Sequence, residues 1–411
     1  LKTVRTEMPW KKGATSVCDP DKPYVVLEQE NETILLKRQP DLKKLYLEVT
    51  SRCNLECLSC VRKHWTETAL QEMDMDLVRQ IAAQSKELPH LNRIHLGGFG
   101  EPLSHPHIVE IVNIFTDNGL RVSMSTNGTL LYPELSARLI RAGLEHVIVS
   151  VDSTEKELFE SLRVKGELHQ VLQNIDQLQR NKKRLGFHNP RLGLEFVMMR
   201  SNAHQVKELP SLAKELGATS VLLTNLLAHS PEMYREVLYE QPGQDRLIKG
   251  DVLAPPAWDK QPLMHVFPSR RTWPVVAEDW ILWATMTLPR MYWSSERKCS
   301  FIDGQAAVIR ADGKVSPCYA LLRSHPYLLD NRQKHVEAYL VGDIREQPLL
   351  DIWTASEYLK FRYTVRNYNF PSCMDCQVNK YCEYALSNDD CWGNSPSCAD
   401  CLYSQGIVRC P

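Results

Sequence analysis

No stretch of this 411-residue chain approaches the roughly 18 consecutive apolar residues that a membrane helix needs. The first segment, LKTVRTEMPWKKGATS, also lacks the apolar stretch that a secretion signal carries. Charge of one sign is equally scarce: 49 basic side chains against 50 acidic ones leave a formal net charge of −1. That balance argues against broad electrostatic binding of nucleic acid or of anionic lipid, so neither is expected as a partner. Internal repeats and low-complexity tracts are missing as well. What is present, 43% hydrophobic and 24% charged residues, excludes a disordered chain. The length implies about two to three domains with a full core.

Cysteine, too, is missing over most of the chain, from Val61 to Lys298, although the total is 13. Cys18 stands alone, and Cys53, Cys57 and Cys60 form a tight group. The rest are Cys299, Cys318, Cys373, Cys376, Cys382, Cys391, Cys398, Cys401 and Cys410. An odd count with no secretion signal points to the reducing cytoplasm, where clustered cysteines more often bind metal than pair as disulfides. Two metal-binding regions are therefore expected on either side of a metal-free body, with Cys18 a small apolar bystander.

The body alternates two patterns. Short β-branched or apolar runs fall at 45–50, 93–98, 121–126, 146–152, 192–199 and 219–226. Helical spacing occupies 75–84, 106–119, 134–143 and 167–186, with Gly119, Gly143 and Gly217 placed to end helices. This alternation predicts parallel βαβ units, and six of them predict an α/β fold with an open or partial (β/α)6 barrel. Ligands should then collect at the C-terminal ends of the strands. Before the barrel, PYVVLEQ and ETILLKRQ predict a hairpin around Glu30 and Asn31. After it, a stretch rich in proline and tryptophan is either a cover for the barrel mouth or a packed connector. The expected division is an extension over 1–44, a core over 45–227, a connector over 228–298 and a cysteine-rich domain over 299–411.

Cys53, Cys57 and Cys60 follow directly on the first barrel strand, in EVTSRCNLECLSC. Three closely spaced thiolates can hold three irons of a 4Fe–4S cube and leave the fourth open to a small molecule. A zinc loop completed by His64 or a remote residue is the alternative. The Cx3Cx2C loop after a first strand resembles the hallmark of the radical S-adenosylmethionine (SAM) superfamily. That resemblance implies an enzyme in which SAM binds the open iron and is cleaved reductively to a 5′-deoxyadenosyl radical. GGFGEPL (97–103) is similar to the family's Gly-Glu-Pro motif, which implies SAM contacts at Gly98, Gly100 and Glu101. STNGTLL (125–131) and SVDS (150–153) match segments that line SAM, which adds Ser125, Asn127, Ser150 and Asp152. Arg163 falls where related enzymes place an arginine on the SAM carboxylate. One departure is Ser59, because the residue before the third cysteine is usually aromatic in this family.

In IDGQAAVIRADGKVSPC, a hairpin turning at Asp312 and Gly313 should bring Cys318 back toward Cys299. Together with the Cx2Cx5C of Cys373, Cys376 and Cys382, this spacing resembles the SPASM extension, which carries up to two auxiliary 4Fe–4S clusters. By analogy Cys299, Cys318 and Cys391 belong to one cluster, with a fourth ligand missing or supplied elsewhere. Cys373, Cys376 and Cys382 belong to the other, with Cys398 or Cys401, and Cys410 is a spare or a swap partner. Zinc sites are the alternative, since Cx2C pairs suit zinc equally well.

The combination of GFGEPLSHP, the Arg62–Trp65 segment and the tail DCWGNSPSCADCLYSQGIVRCP resembles the radical SAM maturases associated with tungsten-containing aldehyde oxidoreductases. This implies a client oxidoreductase or its pterin cofactor as substrate and a ferredoxin or flavodoxin as electron donor. Peptide or protein modification is the rival enzymatic reading, and a zinc-binding scaffold the non-enzymatic one. Two features count against particular peptide activities. Tyr319 stands where sulfatase-maturing relatives carry an Asp, and the 44 residues before the first strand are too few for a winged-helix peptide module. Glu195 and the Asp389–Asp390 pair are candidates for proton handling.

Overall fold

The computed structural model describes residues 16–17, 22–29, 32–65, 70–239, 286–287, 297–329, 332–373, 376 and 378–409. A three-stranded antiparallel sheet comes first: β1 (Ser16–Val17), β2 (Tyr24–Gln29) and β3 (Glu32–Lys37). β2 and β3 are the two arms of the expected hairpin, paired from Tyr24↔Lys37 to Gln29↔Glu32.

The central sheet then takes six strands in chain order, each parallel to the last. They are β4 (Lys44–Leu47), β5 (Arg93–Leu96), β6 (Arg121–Thr126), β7 (His146–Ser150), β8 (Arg191–Met198) and β9 (Ser220–Asn225). All six coincide with the runs that predicted them, as expected for a partial (β/α)6 barrel. The helices between them are α1 (Met75–Gln84), α2 (Ile108–Asp117), α3 (Pro133–Arg141), α4 (Lys156–Leu162), α5 (Leu168–Leu185) and α6 (Leu209–Leu216). The longer ones are amphipathic for a readable reason. In α2, Ile108, Ile111, Val112 and Phe115 repeat at helical spacing and are buried. Asp74 caps α1 by accepting from the Leu77 amide at 2.8 Å. Gly119, Gly143 and Gly217, at φ of 77°, 83° and 68°, take the left-handed conformation just past their helices. The helical pattern did not disclose α4, which has seven residues and buries only Phe159 and Leu162.

The sheet does not end at the barrel. Beyond β9 lies β10 (Met286–Thr287), parallel to it. On the other edge, β11 (Ala306–Ile309) pairs parallel to β4, from Ala306↔Lys44 to Ile309↔Leu47. β11 turns back through Gly313 into β12 (Lys314–Ser316), as the Asp312–Gly313 signal predicted. A separate hairpin follows, β13 (His325–Leu329) with β14 (Arg332–Val336). β15 (Gly342–Asp343) then closes the order as β10-β9-β8-β7-β6-β5-β4-β11-β12-β15.

Strand alternation separates two packing faces. Leu45, Leu47, Ala307 and Ile309 join the main core beneath the helices. Tyr46, Ala306 and Val308 face the other way, where Tyr46 packs on Phe301 and Tyr319 at ring-centroid distances of 5.1 and 5.2 Å. Most of the Pro/Trp-rich connector, with Cys18 and Cys410, lies outside the described residues. Among the described residues no helix is long and apolar enough to cross a membrane.

Candidate functional site

The strand ends open into a cavity of about 300 Å³. Cys53, Cys57 and Cys60, all free thiols, line it on the loop that leaves β4. The loop is clamped by backbone bonds, Glu56 to Val164 at 3.0 Å and Leu58 to Leu162 at 2.9 Å. Burial pushes the Cys57 thiol up to about 11, with Arg163 opposing, and pushes the Cys53 thiol up as well. Thiolates here need the charge of bound iron, which deprotonates a coordinating thiol outright.

The GFGEP loop is locked against this one by contacts that only glycine permits. A Cβ on Gly100 would lie 2.0 Å from the Thr50 carbonyl oxygen and 2.7 Å from that of Arg52. Gly98 sits at φ +142° against the Glu48 side chain. Glu101, fully buried, knots the loop to β6. Its carboxylate accepts from the Thr126 hydroxyl and the Asn127 amide, both at 2.7 Å, and from the Leu103 amide at 3.0 Å. The Asn127 side chain in turn donates to Asn54 Oδ1 at 2.9 Å, next to Cys53.

Gly98, Gly100, Glu101, Ser125, Asn127, Ser150 and Arg163 all line the cavity. Asp152 does not. It is buried behind Arg163, to which it is ion-paired at 2.7 Å, and it accepts from the Val197 amide at 3.0 Å. The resemblance implied a SAM contact for it; here its carboxylate holds the Arg163 guanidinium. Glu195 lines the cavity beside it and accepts from the Ser150 hydroxyl at 3.2 Å. Burial, reinforced by the neighbouring Asp152 charge, raises Glu195 to about 7.

The C-terminal cysteines fall into two groups that differ from the expected ones. The Cys398 thiol is pushed up by burial and by the nearby Cys401, Cys299 and Cys318. Cys318 is affected in the same way by Cys299 and Cys401. Cys391 lies instead near Cys382 and Cys376, and it is a neighbour of Cys373. Cys391 is thus near Cys376 and Cys382, where the analogy had it with Cys299 and Cys318, and both Cys398 and Cys401 are near Cys299 and Cys318, where the analogy had one of them with Cys373.

The reason is local. Asp390 accepts from the Trp392 and Asn394 amides at 2.9 and 3.0 Å and from the Ser397 hydroxyl at 2.7 Å. This turn keeps Cys391 on one side and carries the chain across to the other. There the Tyr368 hydroxyl donates to the Ala399 carbonyl at 2.8 Å. The Lys298 amide, beside Cys299, donates to the Ser404 carbonyl at 2.9 Å, just past Cys401.

Among the described residues, no three His, Cys, Asp or Glu converge as a single metal ion requires. A cube takes one thiolate on each iron, so its ligands need not converge on one point. His64 stacks on His229 at 5.9 Å between ring centroids and closes no site with the cysteines. Asp390 serves the turn rather than the cavity. Sequence reasoning missed His95, His229 and His325 at the cavity, and two buried ion pairs, Glu48–Arg323 and Lys334–Asp400. Each is assembled from distant segments and leaves no local pattern.

A parallel α/β barrel that delivers three thiols into a cavity at its strand ends defines a site for an open iron–sulfur cluster and a small cofactor. Comparison with known proteins agrees. Residues 47–195 match the model of the Radical SAM superfamily, and residues 299–377 that of the SPASM iron-sulfur cluster-binding domain. The tungsten-containing aldehyde ferredoxin oxidoreductase cofactor-modifying protein of Pyrococcus furiosus is 35% identical over 373 residues, 90% of this chain and 97% of that one. The AdoMet-dependent heme synthase of Methanosarcina barkeri is 27% identical over 330 residues, 76% of this chain and 82% of that one. Among solved structures, Streptococcus suis SuiB bound to S-adenosylmethionine shares the fold, with a TM-score of 0.56 at 14% identity. The likeness covers 85% of this chain and 73% of that one. The chain belongs to the radical SAM superfamily. It is an enzyme that uses 4Fe–4S clusters and SAM, and it carries a SPASM region.

Proposed function

We propose that this enzyme modifies the pterin cofactor of a tungsten-containing oxidoreductase in the cytoplasm, drawing electrons from a ferredoxin or flavodoxin. The observation that carries the reading is the 35% identity to a cofactor-modifying protein across 97% of that protein's length. The cavity of about 300 Å³ is in the range of a small-molecule site at the strand ends.

Cys53, Cys57 and Cys60 hold the cluster that binds SAM. Loaded with both, the site supplies one-electron cleavage of SAM to methionine and a 5′-deoxyadenosyl radical, which takes a hydrogen atom from the substrate. The protein's own residues bind and orient. Arg163, aimed by Asp152, attracts the SAM carboxylate. Gly98 and Gly100 let the backbone approach the ligand, and Ser125, Asn127 and Ser150 present polar groups to it. Phe99, which also lines the cavity, supplies an aromatic face that Ser59 lacks. The core over 45–227 carries this site. The domain over 299–411 holds two auxiliary clusters, one on Cys299, Cys318, Cys398 and Cys401 and one on Cys373, Cys376, Cys382 and Cys391.

Reconstituted enzyme given SAM, a strong reductant and the pterin cofactor should release 5′-deoxyadenosine in step with a mass change in the cofactor. Cys57→Ala should abolish both. A host deleted for this gene should make an inactive tungsten oxidoreductase, and a fully active oxidoreductase from that strain would overturn the reading.

A further inference from the structure

The cavity carries side chains that neither the cluster nor SAM uses. His229 follows β9 and His325 opens β13, and their rings meet edge to face at 5.3 Å between centroids. They are 6% and 3% exposed, and both line the cavity.

Their hydrogen bonds fix their chemistry. His229 Nδ1 lies 2.8 Å from the Pro326 carbonyl oxygen, and His325 Nδ1 lies 2.8 Å from that of Arg323. A carbonyl only accepts, so Nδ1 carries the proton in both rings. A neutral imidazole with that tautomer presents Nε2 as a lone-pair acceptor and nothing else. Burial keeps both rings neutral, His229 by lowering it to about 3 and His325 by lowering it as well. Neither Nε2 has a hydrogen-bond partner within the described residues, and neither atom is fully buried. On rings that line the cavity, each is an acceptor open to water or to a donor on a bound ligand.

We propose that His229 and His325 are an acceptor pair that recognises the substrate through its N–H or O–H donors. This makes the substrate a donor-bearing heterocycle, of which a pterin ring, with its amide N–H and exocyclic amine, is one. The inference rests on the cofactor-modifying reading and extends it to the residues that select the ring. The same tautomer also suits metal-ligating histidines. Among the described residues, however, no third ligand converges on the pair.

The test is anaerobic equilibrium dialysis of the reconstituted full chain against 6-hydroxymethylpterin and its N3-methyl derivative, which lacks the amide N–H. Wild type should bind the unmethylated ring about ten-fold more tightly, the range of one lost hydrogen bond to a buried acceptor. His229→Phe and His325→Phe should each erase most of that preference. His229→Gln, whose amide oxygen can still accept, should restore part of it.

Iron content and melting temperature matching wild type identify the variants that are folded. If one Phe variant fails that check, the other decides; if both fail, His229→Leu and His325→Leu replace them, with the same expected and overturning outcomes. Undiminished preference in folded Phe variants, or none in wild type, would overturn the pair and leave the cofactor reading standing. Failure of wild type to bind either pterin would overturn both. Stoichiometric Co²⁺ uptake that is lost in the Phe variants would make the pair a metal site and overturn its role as acceptor.

Discussion

At the cluster loop a single methyl group is decisive. Gly100→Ala would set a carbon 2.0 Å from a backbone oxygen of the strand end that launches the cysteine loop. Both partners are backbone, so no rotamer change relieves the clash, and the two loops must part. We expect a loss of at least about 2 kcal/mol of stability, typical of overpacking a tight site. A weakened SAM-binding cluster should accompany it, seen as a lower melting temperature and about four fewer irons per chain. Glu195 predicts a pH dependence of both stability and SAM binding. Its carboxyl titrates at about 7, against 4.5 for an ordinary glutamate. Between those values the folded protein holds a proton that the unfolded chain has lost, so this residue's contribution to stability falls as pH rises through the window. Glu195 and Arg163 feel each other's charge; with the SAM carboxylate on Arg163, an ionised Glu195 would repel it, so SAM affinity should fall as pH passes upward through about 7. Glu195→Gln should flatten both trends relative to wild type. SAM titrations and melting curves at several pH values would show this, and an unchanged SAM profile in the variant would remove Glu195 from the binding site.

At the scale of elements, the six barrel strands were legible because each is a short apolar run bounded by turn residues. α1, α2, α3 and α5 were legible because their buried residues recur at helical spacing. The N-terminal hairpin and the Asp312–Gly313 turn were legible from local turn chemistry alone. The cluster loop and the Gly-Glu-Pro loop needed the resemblance, yet their residues meet at one cavity as it implied. What could not be read was whatever depends on a partner far along the chain: the parallel pairing of β11 onto β4, the histidine pair and the sorting of the tail cysteines. The last is set by the Asp390 turn and by the Tyr368 hydroxyl, neither of which has a spacing signature. The sorting predicts a pattern of iron loss. Starting from about twelve irons, Cys382→Ser and Cys391→Ser should each remove about four, and the double variant no more than either single, because both act on one cube. Cys382→Ser with Cys398→Ser should remove about eight. Iron and sulfide analysis of anaerobic preparations distinguishes this from the analogy-based grouping. That grouping puts Cys391 with Cys299 and Cys318 and predicts the opposite pair of outcomes.

For the whole molecule, the decisive feature is that the barrel and the cysteine-rich region share one sheet and one buried ion pair. Glu48, just past β4, and Arg323, just before β13, are 275 residues apart in sequence, and their side chains are 0% and 1% exposed. The Arg323 guanidinium also lies 4.5 Å from the centre of the Trp65 ring, which ties it to the segment after the cluster loop. Burial raises the Glu48 carboxyl, and Arg323 is the main influence opposing that rise. Arg323→Met should therefore cost about 3–5 kcal/mol, since it strands a buried carboxylate rather than merely deleting a contact. The cost should be greatest above neutral pH. In acid Glu48 can take up a proton and shed its charge, so the variant should recover part of its stability as pH falls. Glu48→Gln combined with Arg323→Met should be less destabilised than the sum of the two singles, because the double variant leaves no lone charge behind. Urea unfolding of the four proteins at about pH 5.5 and 8 measures the coupling and its pH dependence. The continuous sheet and shared core predict that wild type unfolds in one transition. If Arg323→Met separates it into two, the ion pair is what makes the barrel and the cluster-bearing region fold as a unit. If the singles add without coupling, the two regions are joined by β4 and β11 alone.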